Sequence, residues 1–291
     1  MIVVRSLGSG SSGNAIVVDA GAAAIMVDCG VNPRALGQGL RAMGRRLTDL
    51  SAVLLTHEHT DHVRSLSHVV ANNVPIVATR GTARATMLPL AAWKPIRNLA
   101  PVTIDGIEVT SLSVSHDAAE PCGYHLRHQG SAVTILTDLG VGHESLHSYL
   151  AGSDLIVLEA NHDVAMLQGG PYPAHLKRRV SSRQGHLSNA DCGAMLTDAL
   201  PRDGRARTIW LAHLSTTNNR PGLAEAAVST ALQAAGLVLP VLALPRYDHH
   251  VAWSSVGCST PPAAQLGFNF EAVLKPGERG LSFGERKSGT D

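Results

Sequence analysis

The chain has 291 residues, a formal net charge of +1, 44% hydrophobic residues and only 3% aromatic residues, which predicts one large or two smaller domains with aliphatic cores. The near-zero charge gives no global indication of nucleic-acid binding, and the four scattered cysteines contain no CxxC pair and favour a reducing cytoplasm. No window reaches the ~18 uninterrupted apolar residues that a membrane span requires.

Strand-like patterns dominate the first part of the chain. A strand at 2–7 leads into a Gly- and Ser-rich turn at 8–13. Pro33 fits the first position of a helix capped by Asn32, and apolar residues recur at helical spacing through Leu47, which predicts one continuous helix face. The residues on that face are Leu36, Leu40, Met43 and Leu47. Further strands are predicted near 14–19, 24–28 and 52–56, and a helix is predicted to begin near Asp61.

The second part of the chain alternates between strands and helices. The dipeptides at 105–106 and 129–130 predict hairpin turns, because Asp-Gly and Gln-Gly lie between strand-like runs. A buried strand at 155–158 ends at Glu159. The other predicted strands are 75–78, 122–128, 132–137, 207–212 and 240–244, and the predicted helices are 189–200 and 222–235.

The periodic signals end near residue 255. Residues 1–255 are therefore predicted to form one domain, and residues 256–291, rich in Gly, Ser, Pro and charge, are predicted to be an irregular or flexible tail. The alternative for this tail is a short docking segment at 266–270.

Three histidines and two carboxylates lie within residues 57–62, directly after a predicted strand. Imidazole and carboxylate groups are the ligands that hold zinc, manganese or iron at enzymatic sites. His57 and His59 point the same way along an extended loop and can bind one ion. Asp61 and His62 enter a helical turn and face a neighbouring site, so one segment can supply two ions. The alternative is a histidine-rich surface loop.

Three further metal-capable residues follow predicted strands. They are His116, Asp138 and His213. Loops at strand ends commonly build binding sites, so these residues are candidate ligands of the same centre. Taken singly, a residue of this kind is more often an ordinary polar residue than a ligand, and it is the set in this order that indicates a metal centre.

In this order the motifs resemble those of the metallo-β-lactamase superfamily. The five motifs are Asp28, the 57–62 cluster, His116, Asp138 and His213. Longer strings are similar to the YycJ/WalJ type of bacterial exonuclease-like hydrolase, and they lie at 8–14, 115–121, 159–163, 185–189 and 212–215, with Asn218 and Asn219. The resemblance covers roughly the first 250 residues. It implies an α/β (α+β) fold, a four-layer αββα sandwich with metals at one edge of its two sheets.

The resemblance also implies a ligand set for two divalent ions, zinc or manganese, with iron also permitted. In that set, one ion is held by His57, His59 and His116, and the other by Asp61, His62 and His213. Asp138 bridges both ions, and Asp28 orients a ligand histidine without binding metal. A water between the ions would lose a proton readily, and the resulting hydroxide would attack phosphorus.

A second candidate group surrounds His186. The resemblance implies that Glu159 orients His186, which contacts the scissile phosphate or assists the leaving oxygen. The candidate catalytic residues are therefore Asp61, His186 and Glu159. The candidate contacts to the substrate phosphate are His186, Ser188, Asn189 and Arg183. The alternative is that His186 only caps the helix that follows it.

Two local features bear on the class of substrate. A basic run before His186 could neutralise backbone phosphates, or it could be a solvated loop. Its members are Lys177, Arg178, Arg179 and Arg183. The 8–14 segment could present N–H groups to an anion, or form a tight turn. It lacks the Lys-Ser/Thr ending of a P-loop, which argues against nucleotide hydrolysis of that kind.

Together these features predict a cytoplasmic, dinuclear metal-dependent phosphodiesterase that acts on nucleic acid, with DNA as the expected substrate and no membrane partner. Exonuclease character with 5′ to 3′ polarity is implied by the resemblance alone. The alternative reaction is hydrolysis of a small ester or thioester at the same kind of site. The alternative role is that of a non-catalytic DNA-binding regulator.

Overall fold

The structure is a computed structural model that describes residues 1–247 and 249–256. Within these residues the chain forms fourteen β-strands and nine α-helices. The strands are β1 (Val3–Gly8), β2 (Ala15–Asp19), β3 (Ala24–Val27), β4 (Ala52–Leu54), β5 (Ile76–Ala78), β6 (Trp93–Pro95), β7 (Val102–Ile104), β8 (Ile107–Ser113), β9 (Cys122–His128), β10 (Ser131–Leu136), β11 (Leu155–Glu159), β12 (Thr208–Ala212), β13 (Val241–Ala243) and β14 (Ala252–Ser254). The helices are α1 (Pro33–Ala42), α2 (Thr60–Val63), α3 (Leu66–Ala71), α4 (Arg80–Ala85), α5 (His147–Ala151), α6 (Val164–Gly169), α7 (Ala174–Val180), α8 (Asn189–Ala199) and α9 (Pro221–Ala234).

The strands form two mixed seven-stranded sheets. The first has the order β14-β1-β2-β3-β4-β5-β6, and the second has the order β13-β12-β11-β10-β9-β8-β7. Each sheet is antiparallel in one half and parallel in the other, with the parallel pairs running from β3 to β6 and from β10 to β13. Parallel neighbours need crossover connections, and these are supplied by helices such as α1 and α8.

Three hydrophobic clusters stack the sheets and helices into layers. Val18 and Leu54 of the first sheet are buried with Val109, Val133 and Trp210 of the second, which fills the space between the sheets. A second cluster packs α1 and α3 on the outer face of the first sheet. A third packs α5, α8 and α9 on the outer face of the second sheet. The predicted four-layer αββα sandwich is therefore confirmed.

The helix predicted to continue through Leu47 ends earlier. Its predicted start is confirmed, because the Asn32 side chain accepts a hydrogen bond from the N–H of Ala35 at 2.9 Å. The helix stops at Ala42, and Gly44 then adopts a left-handed φ of 70° that turns the chain away. Leu47 lies in a short 3-10 helix and still packs in the same cluster. Burial of Leu47, and not a continuous helix, explains the apolar spacing.

The other predicted strands and helices are confirmed within two residues at each end. The helix predicted to begin near Asp61 does so, but it breaks into α2 and α3. The short elements β6, β14, α4, α5, α6 and α7 were not predicted. The run at 177–179 forms the last turn of α7 and is not a loop.

The predicted tail at 256–291 lies outside the described residues, apart from Val256. The division into a domain at 1–255 and a tail therefore stays a prediction, as does the docking segment at 266–270. Among the helices that the structure describes, none combines the length and the apolar character needed to cross a bilayer.

Candidate metal centre

Residues far apart in the chain meet at one end of the two sheets. Asp28 and the 57–62 segment follow the parallel strands β3 and β4 of the first sheet. In the second sheet, Asp138 follows β10, Glu159 ends β11 and His213 follows β12. Because the carboxyl ends of neighbouring parallel strands lie at the same edge of a sheet, each sheet delivers its polar residues to one place.

Three of these residues share a backbone conformation that side-chain-bearing residues rarely adopt. The φ angles are 59° at Asp28, 57° at Asp138 and 55° at His213, all in the left-handed region. Each such residue costs about 1–3 kcal/mol, and strain of this kind concentrates at functional sites. The three strained positions all lie just beyond a strand, where the chain must turn sharply to leave the sheet.

Within the described part of the chain, nine side chains form four overlapping groups in which the potential ligand atoms lie within 4.8 Å of one another. The groups are His57, His59 and His116; Asp61, His62 and His213; His57, His62 and Asp138; and Asp138, Glu159, His186 and His213. Asp138 Oδ2 is 3.0 Å from His62 Nε2, and Asp138 Oδ1 is 3.5 Å from His213 Nε2. His116 Nε2 lies 3.7 Å from the same Oδ1 atom. Asp138 thus contacts both predicted sets of three ligands.

Two of the candidate ligand histidines, His62 and His116, are held in place through Nδ1. Asp28 Oδ2 lies 2.7 Å from Nδ1 of His62, and the Gly185 carbonyl oxygen lies 3.0 Å from Nδ1 of His116. Acceptors of this kind fix the tautomer and ring orientation of metal-binding histidines and make them more basic. Nε2 of each ring therefore lies toward Asp138, at 3.0 Å for His62 and 3.7 Å for His116.

One carboxylate oxygen of Glu159 accepts hydrogen bonds from two histidines. Its Oε1 accepts from Nδ1 of His213 at 2.9 Å and from Nδ1 of His186 at 2.8 Å. Its Oε2 accepts from the backbone N–H groups of Leu139 and Leu187 at 2.9 and 3.3 Å. Burial alone would raise the pKa of Glu159, but the adjacent His186 outweighs it and lowers that pKa. The carboxylate stays ionised and orients both rings.

The buried carboxylates of the centre stabilise positive charge on two neighbouring histidines, His213 and His62. Burial opposes protonation of His213, but the Asp138 and Asp61 carboxylates outweigh it and raise its pKa to about 10. The pKa of His62 is raised well above its usual value, since Asp138 again exceeds the effect of burial. By contrast, burial and the charge of His62 hold the pKa of His57 well below its usual range. The negative charge is thus concentrated around Asp138.

His57 Nε2 is buried at the centre and has no hydrogen-bond partner among the described residues, and such an atom typically costs about 1–3 kcal/mol. Asp138 Oδ2 is also buried and lies 3.0 Å from His62 Nε2. Nearby, His59 Nδ1 and His116 Nε2 face each other at 3.2 Å. A divalent cation would use all of these lone pairs, and nitrogen and oxygen donors without thiolate suit zinc, manganese or iron. The donor set therefore fits the predicted pair of ions, and these buried clusters are typical of a dinuclear metal site.

Comparison with known proteins agrees with this geometry. Residues 23–213, more than half of the chain, match the model of a β-lactamase superfamily domain. The chain belongs to the metallo-β-lactamase superfamily. It is 35% identical over 237 residues to exodeoxyribonuclease YycJ of Bacillus anthracis, covering 79% of this chain and 89% of the relative. It is 31% identical over 239 residues to exodeoxyribonuclease WalJ of Streptococcus pneumoniae strain D39, covering 79% and 88%.

Solved structures share the metallo-β-lactamase fold at lower identity. The fold protein YhfI of Bacillus subtilis has a TM-score of 0.67 and 17% identity, covering 87% of this chain and 100% of its own. Zn²⁺-bound PqqB of Methylobacterium extorquens has a TM-score of 0.64 and 17% identity, covering 87% and 99%. The resemblance identified from the sequence motifs is confirmed: the chain is a hydrolase of this superfamily related to the YycJ and WalJ exodeoxyribonucleases.

The predicted phosphate contacts at 183–189 differ in their environment. Ser188 is buried and caps α8, where its hydroxyl accepts from the N–H of Asp191. Asn189 is buried and exchanges two side-chain hydrogen bonds with Asn219, at 2.8 and 3.0 Å. These bonds engage both buried side chains within the protein, and the assignment of Ser188 and Asn189 as phosphate contacts stays a prediction. Arg183, in contrast, is exposed.

Three residues with no function predicted from the sequence support the candidate ligands. Asn14 Nδ2 lies 3.0 Å from His62 Nε2. Thr56 Oγ1 contacts both Asp28 Oδ2 at 2.9 Å and Nδ1 of His57 at 3.0 Å. Asn161 donates to the carbonyl oxygen of His213 at 2.9 Å. The only available signal was position: each lies next to, or inside, a motif that had been singled out.

Replacing Asp28 with asparagine is expected to weaken metal binding by about 10–100-fold, because the His62 ring loses the carboxylate that orients it. Competition with a chromophoric chelator measures the affinity directly. The control is Asp19→Asn. Asp19 is the last residue of β2 and pairs with Arg45, and its replacement should leave the metal affinity at the wild-type value. Equal metal affinities for the two variants would contradict the orienting role of Asp28.

Replacing Gly30 with alanine is expected to destabilise the fold by about 3 kcal/mol through overpacking. A Cβ at Gly30 would lie 1.6 Å from the carbonyl oxygen of Asp61, so the 57–62 segment would have to move. Denaturant unfolding and metal content should both report this change. Gly222→Ala is the control, because nothing lies within 4 Å of its Cβ position in α9, and its free energy of unfolding should be equal or slightly higher.

Proposed function

We propose that this chain is a dinuclear metal-dependent nuclease that hydrolyses phosphodiester bonds in DNA as an exonuclease. The observation that carries the proposal is the Glu159–His186 pair, which lies directly beside the clustered ligands in a chain related to exodeoxyribonucleases. A hydrolase of esters or thioesters needs the metals, but it has no evident need for a second oriented histidine at the edge of the centre.

The residues that would hold the two ions are those predicted from the sequence, with Asp138 between them. They are His57, His59 and His116 for one ion and Asp61, His62 and His213 for the other. When bound, two divalent cations activate a water molecule and neutralise charge on the phosphoryl oxygens. Zinc or manganese are the proposed metals, and iron is compatible with the same donors.

In this proposal His186 delivers a proton to the leaving oxygen. Its Nδ1 donates to Glu159, so Nε2 is the nitrogen available to substrate. Its side chain is 18% exposed, whereas Glu159 is fully buried. Burial opposes the charged form of His186, but Glu159 outweighs it and raises the pKa. A protonated imidazole can stabilise a developing alkoxide and release its proton as the bond breaks.

The basic run borders the same centre. Arg179 on α7 forms an ion pair with Asp117 at 2.6 Å, and Asp117 Oδ1 lies 3.4 Å from His116 Nε2. Arg178 and Arg183 are exposed and are free to neutralise phosphates on either side of the scissile bond. This arrangement supports a polyanionic substrate in preference to a small neutral ester.

The test is hydrolysis by metal-reconstituted protein of duplex DNA labelled separately at each end, with single-stranded DNA, RNA and a generic thioester in parallel. We expect release of mononucleotides from the 5′ end, dependent on zinc or manganese and abolished by chelation. Release from the 3′ end would overturn the proposed polarity alone. Turnover of the thioester without cleavage of any nucleic acid would overturn the proposed function.

A further inference from the structure

A Ser- and Gly-rich loop at 8–14 lies against the ligand group formed by Asp61, His62 and His213. The Ser9 hydroxyl accepts from the backbone N–H of His213 at 2.9 Å. At the other end of the loop, the Asn14 N–H donates to the carbonyl oxygen of Asp61 at 2.8 Å. The loop is therefore anchored at both ends to candidate metal-binding residues.

The middle of this loop offers donors that the protein does not use. The backbone N–H groups of Ser11 and Ser12 donate no hydrogen bond within the described residues, whereas that of Gly10 donates to the Asn14 side chain at 2.8 Å. Ser11 is exposed and Ser12 is half-buried. Successive free N–H groups in a tight turn form a concave site for anions.

Two arginines from distant parts of the chain converge on Ser12. Arg64, which directly follows α2, donates to the Ser12 carbonyl oxygen at 2.6 Å. Arg246, which follows β13, contacts the Ser12 hydroxyl at 3.2 Å and donates to the Leu214 carbonyl oxygen at 3.0 Å. Neither arginine forms an ion pair with a carboxylate that the structure describes. Each guanidinium has five N–H donors, so both keep donors for a ligand.

The positions of the 8–14 loop, Arg64 and Arg246 relative to α7 indicate the class of ligand that they bind. The 8–14 loop borders the ligands Asp61 and His213, whereas Arg179 on α7 borders His116, a ligand of the other set. A nucleic-acid strand with its scissile phosphate at the metals would present the next phosphate on either side. Arginine forks and free N–H groups are the donors that suit such a phosphate.

We infer that the 8–14 loop, together with Arg64 and Arg246, is a subsite for a second phosphate of the DNA strand, adjacent to the scissile one. This inference rests on the proposed function. The phosphate is either the monoester at a strand terminus or an internal diester. A terminal monoester carries the greater negative charge and makes the more favourable contacts with two arginines.

Binding is measured first, with metal-free protein, so that no cleavage occurs. Fluorescence anisotropy compares one labelled oligonucleotide bearing a 5′-phosphate, a 3′-phosphate or only hydroxyl ends. The variants are Arg64→Gln and Arg246→Gln, with Arg64→Lys and Arg246→Lys to retain the charge. Arg127→Gln is the matched control, because this exposed arginine on β9 lies at the end of the second sheet away from the metal centre and, among the described residues, forms an ion pair with Glu108 alone. Thermal unfolding verifies that each variant is folded.

If the subsite holds a terminal phosphate, the wild-type protein binds one phosphorylated end at least about tenfold more tightly than the hydroxyl ends, an effect of about 1.4 kcal/mol. Both glutamine variants lose this preference, the lysine variants retain part of it, and Arg127→Gln retains all of it. If the subsite holds an internal phosphate, there is no preference between ends. The glutamine variants then weaken binding of all three oligonucleotides and reduce its salt dependence.

The inference is overturned if both glutamine variants bind all three oligonucleotides as Arg127→Gln does. A parallel hydrolysis assay with metal-replete protein separates this failure from that of the proposed function. Cleavage of DNA by wild type and by both variants at equal KM would discard the subsite and leave the nuclease intact. Absence of any DNA cleavage by the wild-type protein would discard both.

Discussion

Asp138→Asn is expected to reduce hydrolysis by roughly 10²–10⁴-fold, a rise of about 3–5 kcal/mol in the activation free energy, because the centre loses the buried charge that contacts both sets of candidate ligands. The Asp138 carboxylate lies 3.0 Å from His62 of one set of candidate ligands and 3.7 Å from His116 of the other, so its charge acts on both sets. Asparagine keeps the shape of the side chain but removes the charge. Bound metal, measured by inductively coupled plasma mass spectrometry, should fall together with the activity.

The matched control for this substitution is Glu108→Gln, an exposed carboxylate paired with Arg127. It should retain both activity and metal content. Circular dichroism of Asp138→Asn should show an unchanged fold, so that the loss is assigned to the centre. Wild-type turnover by a folded Asp138→Asn protein would exclude Asp138 from the metal centre and, with it, the two-ion arrangement.

His186→Gln is expected to lower kcat by roughly 10²–10⁴-fold, the usual contribution of a positioned proton donor. In contrast to Asp138→Asn, it should leave the metal content unchanged. This difference matters because His186 lies close enough to Asp138, Glu159 and His213 to be a ligand itself. Measuring kcat and bound metal on the same preparation distinguishes a proton donor from a ligand.

His175→Gln is the control for this experiment, because His175 is exposed on α7. This substitution should change neither kcat nor the amount of bound metal. Loss of bound metal in His186→Gln would reassign His186 to the metal centre. Unchanged kcat would remove the Glu159–His186 pair from the reaction, and the proposed nuclease mechanism would need another proton donor.

The parts of the site that could be predicted from the sequence are those encoded locally or carried by a motif. The 57–62 segment supplies four candidate ligands from one loop, and the strands before Asp138 and His213 were visible as apolar runs. Strand ends that face the same edge then bring these residues together. The αββα layers followed from the family motifs, since the apolar pattern alone does not state which two sheets stack.

The parts that could not be predicted depend on contacts between distant segments. Asn161 and Thr56 hold the site through bonds that only the folded chain creates. The two hydrogen bonds between Asn189 and Asn219, thirty residues further along the chain, likewise have no signal in the local sequence. Leu47 continued a helical spacing although Gly44 had already ended the helix. The apolar spacing therefore predicted correctly that Leu47 packs against the core, but it did not predict where the helix ends.

A single oxygen atom of Glu159 accepts from both His186 and His213. Tuning the acid strength of one ring therefore perturbs the basicity of the other. A mutation at any of these three positions is expected to show strong epistasis with the remaining two. Laboratory evolution toward a new leaving group should then require compensating changes within this trio, and single-site libraries at position 159 should yield few active clones.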